Sequence, residues 1–86
     1  MKNGLEVNEY GTKRWYLNGK RHRVDGPAIE DANGNKYWYL NGKLHRVDGS
    51  AAEFTYGYKF WYLNDKILNC KTQEEFEQLI RLKSFW

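Results

Sequence analysis

A single cysteine, Cys70, excludes an intramolecular disulfide, and an unbridged thiol fits the reducing cytoplasm, which is the compartment expected. No apolar run approaches the ~18 residues of a membrane-crossing helix, and no signal-peptide apolar core is present. Neither a spanning segment nor secretion is therefore expected. The sequence has no glycine-rich phosphate loop, no HExxH motif and no nucleophile elbow. With only two histidines, His22 and His45, it offers no metal-ligand cluster, and no cofactor, metal or catalytic residue is expected. Excess charge is small too, 14 Lys and Arg against 11 Asp and Glu. A protein mimicking DNA would be strongly acidic, and this one is not. No polybasic run or basic amphipathic helix marks it for a membrane surface.

What the chain does have is a period. Trp-Tyr-Leu-Asn-Gly-Lys runs from Trp15 to Lys20 and again from Trp38 to Lys43, and returns as Trp61 to Lys66 with Asp65 for the glycine. The tryptophans are 23 residues apart, a spacing that defines architecture. Trp-Tyr-Leu suits a pleated surface. Asn-Gly supplies the two positive-φ positions of a type I′ hairpin turn. Asp tolerates that conformation less well than Gly, so the turn at Asn64-Asp65 is expected to be the weakest or of another type.

The chain thus reads as one domain, 1–86, with units at 3–25, 26–48 and 49–71 and a helical cap over 72–86. In the first unit Leu5-Glu6-Val7 alternates as an edge strand, Tyr10-Gly11 turns, and Lys13–Leu17 and Lys20–Arg23 form the hairpin. Pro27 belongs at a strand start or an edge. In the third unit His-Arg-Val-Asp-Gly has become Leu68-Asn69-Cys70-Lys71-Thr72, so the chain must leave the sheet. Thr72 and Glu75 form a capping box. Phe76, Leu79 and Ile80 make one apolar face. Together they predict a helix from about Gln73 to about Lys83, with Phe85-Trp86 folding back beneath it. The fold class is mainly β with one C-terminal helix: a twisted antiparallel meander of about six strands in three hairpin repeats. Period-two alternation places Trp and Leu on one face and Tyr on the other. The Trp/Leu face is the expected core; the alternative is that the helix covers the Tyr face where Phe60 replaces Arg14.

The histidines and the Arg23/Asp25 and Arg46/Asp48 pairs recur with the repeat, so they read as fold signature. Cys70 reads as a small buried hydrophobe. Cations offer the better lead. Arg14, Lys20, Arg21, Arg23, Lys43 and Arg46, interleaved with Tyr16 and Tyr39, are the candidate partner-binding residues. Tyr and Arg are enriched in protein hot spots. The same pairing of stacking rings and phosphate-tracking cations would serve a small RNA- or ssDNA-binding module. Lysines beside hairpin turns are also ordinary edge gatekeepers.

The units resemble the variant MORN-type repeat of small bacterial and phage proteins. The resemblance covers residues 3–71 and rests on Trp15, Trp38 and Trp61, the Asn18-Gly19 and Asn41-Gly42 turns, and Asp25-Gly26 and Asp48-Gly49. The chain departs from the membrane-associated MORN consensus, which is richer in glycine. Relatives of the variant type are linked to toxin–antitoxin pairs and phage accessory genes. The resemblance implies a non-enzymatic protein-interaction module, a small phage or bacterial inhibitor acting in the cytoplasm, the host's cytoplasm if the chain is phage-encoded. Its target would be a host toxin or a nucleic-acid-targeting defence nuclease, with bound RNA as a further contact.

Overall fold

Three hairpin turns set the architecture. Asn18 and Gly19 have φ of 52° and 79°, and Asn41 and Gly42 have 51° and 82°, the paired positive values that a type I′ turn requires. The third turn departs from expectation. Asn64 and Asp65 take 49° and 70°, the same positive pair rather than another type. The Asp65 carboxylate accepts the Leu44 N–H at 2.7 Å, a bond that glycine could not make and that offsets the strain of a left-handed Asp.

The computed structural model describes residues 1–82. Its strands are β1 (Gly4–Val7), β2 (Lys13–Leu17), β3 (Lys20–Arg21), β4 (Ile29–Glu30), β5 (Lys36–Tyr37), β6 (Tyr39–Leu40), β7 (Lys43–Leu44), β8 (Ala52–Glu53), β9 (Lys59–Leu63) and β10 (Lys66–Leu68), followed by α1 (Gln73–Arg81). All pairings are antiparallel. One sheet runs β1-β2-β4-β5-β8-β9-β10 with β3 beside β2, and β6 pairs with β7. Among the described residues the strands number ten rather than about six. The segments before each Trp strand, 29–30 and 52–53, pair as β1 does, and the middle strand breaks at Trp38. β1 is the edge strand expected, with Leu5 opposite Trp15. β3 stops short of Arg23 because Arg23 N–H turns to Tyr39 O, 3.1 Å away in the next hairpin.

Each hairpin is sewn to its predecessor by bonds that recur 23 residues on. Gly42 N–H donates to Arg21 O at 2.8 Å and Asp65 N–H to Leu44 O at 2.9 Å. Arg46 N–H reaches Tyr62 O at 3.3 Å, as Arg23 reaches Tyr39. The histidines complete the stitch: Nδ1 of His22 accepts Asn41 N–H at 2.9 Å, and Nδ1 of His45 accepts Asn64 N–H at 3.1 Å. At the first hairpin Asn3 takes the histidine's part: its Oδ1 accepts Asn18 N–H at 2.9 Å.

The helix packs on the Trp/Leu face, not on the Tyr face. Trp61, Leu63, Leu68 and Phe76 form the core, with Cys70, Leu79 and Ile80 against it. Trp61 is 4% exposed, and its indole N–H donates to Gln73 Oε1 at 2.8 Å. Thr72 caps the helix as expected, its hydroxyl accepting Glu75 N–H at 3.1 Å. The returning half of the box differs: Glu75 Oε1 accepts Lys71 N–H, at 2.7 Å, one residue before the cap. The helix ends at Arg81. Lys83 and Phe85-Trp86 lie outside the described residues. Trp15 and Trp38 are only half-buried, because the cluster of large buried side chains, Trp61, Leu63, Leu68 and Phe76, lies at the helix end of a slab 41 × 29 × 17 Å.

Candidate interaction face

Over Trp15 and Trp38 the missing layer is supplied by arginine. The Arg46 guanidinium lies 3.9 Å from the Trp38 ring centroid. Its Nε donates to Asp48 Oδ1 at 2.9 Å, and its Nη1 to Ser50 O at 3.0 Å and Glu53 Oε2 at 3.1 Å. Arg23 repeats the arrangement over Trp15, at 3.9 Å, with Asp25 at 3.0 Å, Pro27 O at 3.2 Å and Glu30 at 3.2 Å. Glycine follows Asp because the guanidinium occupies its side-chain space. A Cβ on Gly49 would fall 2.5 Å from Arg46 Cζ, and one on Gly26 would fall 3.0 Å from Arg23 Cζ. The bond from Arg46 holds the Asp48 carboxyl below its ordinary range. Burial lowers the pKa of His45, favouring the neutral ring whose Nδ1 accepts from Asn64. Burial also raises the thiol of Cys70, whose Sγ lies 3.8 Å from Leu68 O, as a packed small hydrophobe should.

The sheet splits the candidate residues between its faces. Directly paired residues share a face. Lys20 stands opposite Leu17 and Lys43 opposite Leu40, so both lysines, like Arg23 and Arg46, belong with the tryptophans. Arg14, Tyr16, Arg21 and Tyr39 share the opposite face. Tyr16 pairs with Arg21 across β2 and β3, and Arg21 reaches on to Tyr39, 5.2 Å from the ring centroid with Nη1 3.4 Å from the hydroxyl. Lys2 lies 5.1 Å from the centroid of Tyr16. Arg14 is flanked by Glu6 and Ile29.

Toward the helix end this face turns aromatic. Arg14, Ile29, Tyr37, Ala52 and Phe60 form one cross-strand row. Tyr37 meets Phe54 edge-on at 5.7 Å, and Phe54 meets Phe60 at 5.8 Å, geometries that suit the ring quadrupole. Phe54, Tyr56, Tyr58 and Phe60 line a shallow apolar depression of about 350 Å³. Tyr56 is 87% exposed and Tyr58 65%. Sequence reasoning did not single out these rings as site residues. The signal was there in Phe54-Thr55-Tyr56-Gly57-Tyr58-Lys59-Phe60, where aromatics recur at every second residue.

Among the described residues no cluster of His, Cys, Asp or Glu is placed to hold a metal ion. No described helix is long and apolar enough to cross a membrane. No family model, no curated protein and no solved structure matches the chain.

Proposed function

We propose that the chain is a non-enzymatic protein-binding module whose contact surface is the tyrosine face. The observation that carries this is one contiguous surface holding Tyr16, Arg21 and Tyr39 at one end and Tyr37, Phe54, Tyr56, Tyr58 and Phe60 at the other. Such rings bury large area at small entropic cost, and Arg among them is the usual hot-spot companion. The RNA- or ssDNA-binding reading draws less support. Its cations divide between two faces, and two of them, Arg23 and Arg46, are each already engaged by two carboxylates. The resemblance to variant MORN-type repeats makes the partner a toxin or a nucleic-acid-targeting nuclease that this chain inhibits.

Capture from cell lysate, with and without nuclease treatment, tests the reading. A protein partner retained after nuclease treatment is expected, with Arg21→Glu and Tyr39→Ala each weakening capture while the fold persists. Affinity should fall only modestly with salt, mostly through the association rate. Loss of capture on nuclease treatment, with the steep log–log salt dependence of counterion release, would transfer the function to nucleic acid.

A further inference from the structure

Among the described residues, half of one edge of β9 has no partner strand. In the first unit that half-edge, Lys13–Arg14, is covered by β4, with Lys13 opposite Glu30 and Arg14 opposite Ile29. In the second, β8 covers Lys36–Tyr37, with Glu53 opposite Lys36 and Ala52 opposite Tyr37. The corresponding stretch of the third unit is Lys59–Phe60. There β8 occupies the first edge, and among the described residues no strand occupies the second. The backbone bonds agree. Tyr58 O accepts from Phe54 and Phe60 O from Ala51, both on the β8 side, so alternation turns the N–H and C=O of Lys59 outward. A notch of about 610 Å³ lies at this place, with Tyr58, Lys59, Phe60, Ile67, Asn69 and Lys71 on its walls.

We propose that this notch is a strand-acceptor slot, which takes an extended segment of a partner protein reading small–aliphatic–acidic. The two filled slots define the occupant. Their segments are Ala28-Ile29-Glu30 and Ala51-Ala52-Glu53; in each the acid stands opposite a lysine in register and is ion-paired to the arginine over the tryptophan, Arg23 or Arg46. The open slot presents Lys59, which meets Glu53 only across its other edge, for that acid, Phe60 for the aliphatic residue and, with Asn69 where the arginine stood, Lys71 as the second cation; no acidic side chain lines it. A second copy of this chain is a poor donor. Its β4 and β8 are each paired on both edges, and Ala28 and Ala51 are fully buried, so donation would unfold it. Addition of a strand to an open edge takes affinity from main-chain bonds and specificity from alternate side chains. Tyr58 and Phe60 belong to the tyrosine face as well as to the notch, but the slot is read from the open backbone of Lys59 and does not rest on what that face binds.

The test is titration of a heptapeptide with the sequence of residues 26–32 into the isotopically labelled full chain, followed by amide chemical shifts. Saturable shifts are expected at Tyr58–Phe60 and Ile67–Lys71, with a Kd below about 1 mM. Replacing the peptide's Glu by Lys should weaken binding by about threefold or more, and Lys59→Glu in the protein should recover it for that altered peptide. Methylating the amide nitrogen of the peptide's Glu deletes one main-chain donor and should cost about fivefold or more. Shifts absent from these residues up to several times that concentration would overturn the proposal. So would shifts there that ignore both the charge exchange and the methylation, which would mean an unspecific apolar surface.

Discussion

Arg46→Ala separates an arginine that builds the sheet from one that presents a surface. The guanidinium stacks on Trp38 at 3.9 Å, a contact worth about 0.5–2 kcal/mol at this degree of burial. Its side chain is 21% exposed, against 83% for Asp48, so that ion pair counts for about 0–1 kcal/mol. The bonds from Nη1 to Ser50 O and Glu53 are better shielded, and charge-assisted bonds of this kind contribute roughly 1.5–3 kcal/mol. These terms overlap, and about 2–4 kcal/mol is the expected loss. At an m-value of about 1–1.5 kcal/mol/M for a small domain, the urea midpoint should fall by about 2 M.

Urea unfolding followed by tryptophan fluorescence reads this directly. Arg46→Lys should recover less than half, since an ammonium cannot form the planar fork or lie flat on the indole. Arg21→Ala, on the opposite face, should stay within about 0.5 kcal/mol while weakening partner capture. Equal midpoints for Arg46→Ala and Arg21→Ala, or full rescue by Arg46→Lys, would refute the assignment of Arg46 to the fold.

Three further outcomes follow from the same geometry. Gly49→Ala places a Cβ 2.5 Å from Arg46 Cζ, so it should destabilise the wild type by about 1–3 kcal/mol and cost much less in an Arg46→Ala background; thermal unfolding of the four proteins gives the coupling. Trp61→Ala removes a 4%-exposed ring under the helix and should cost about 3–5 kcal/mol, more than Trp38→Ala, and denaturant midpoints rank them. Burial lowers the folded pKa of His45 below the ordinary 6.5, so its contribution is full above pH 6.5 and is lost as pH falls through the lowered folded value. The stability of His45→Asn, which keeps an acceptor for Asn64 N–H, should be flatter than wild type as pH falls below 6.5.

The turns, the strand cores and the helix were legible because local chemistry specifies them: Asn-Gly for positive φ, alternation for the strands, Thr72 and Glu75 for the helix start. The split of the cations was less visible. Lys20 and Arg21 are neighbours in sequence, but period-two alternation sends them to opposite faces, and only the register of β3 on β2 states which goes where. The stacking of Arg23 and Arg46 on the tryptophans was hidden for another reason. It depends on the chain bending after β3 and β7 so that a residue beyond the strand swings over the ring, a matter of tertiary path rather than pattern. At the third turn, propensity at Asp65 points toward another turn type because it does not include the Leu44 N–H that the carboxylate meets.

The helix and the open notch have one cause. In the first two units His-Arg-Val-Asp-Gly gives each Trp its guanidinium lid and then leads into the strand that fills the next slot. In the third unit Asn69 stands where arginine would, so Trp61 needs another cover, and Thr72 begins a helix where the next strand would have been approached. The helix answers the first need through Phe76 and Gln73. It lies on the Trp/Leu face, so it leaves the second unmet, and among the described residues nothing pairs with the edge of Lys59. β10 runs one residue farther than β3 or β7, pairing Leu68 with Trp61, whereas the N–H groups of Trp15 and Trp38 are taken by Ala28 O and Ala51 O of the incoming strand. Among the described residues the end of the array is therefore finished on one face and unfinished at one edge, and that edge carries Lys59, whose counterparts Lys13 and Lys36 stand opposite Glu30 and Glu53 there.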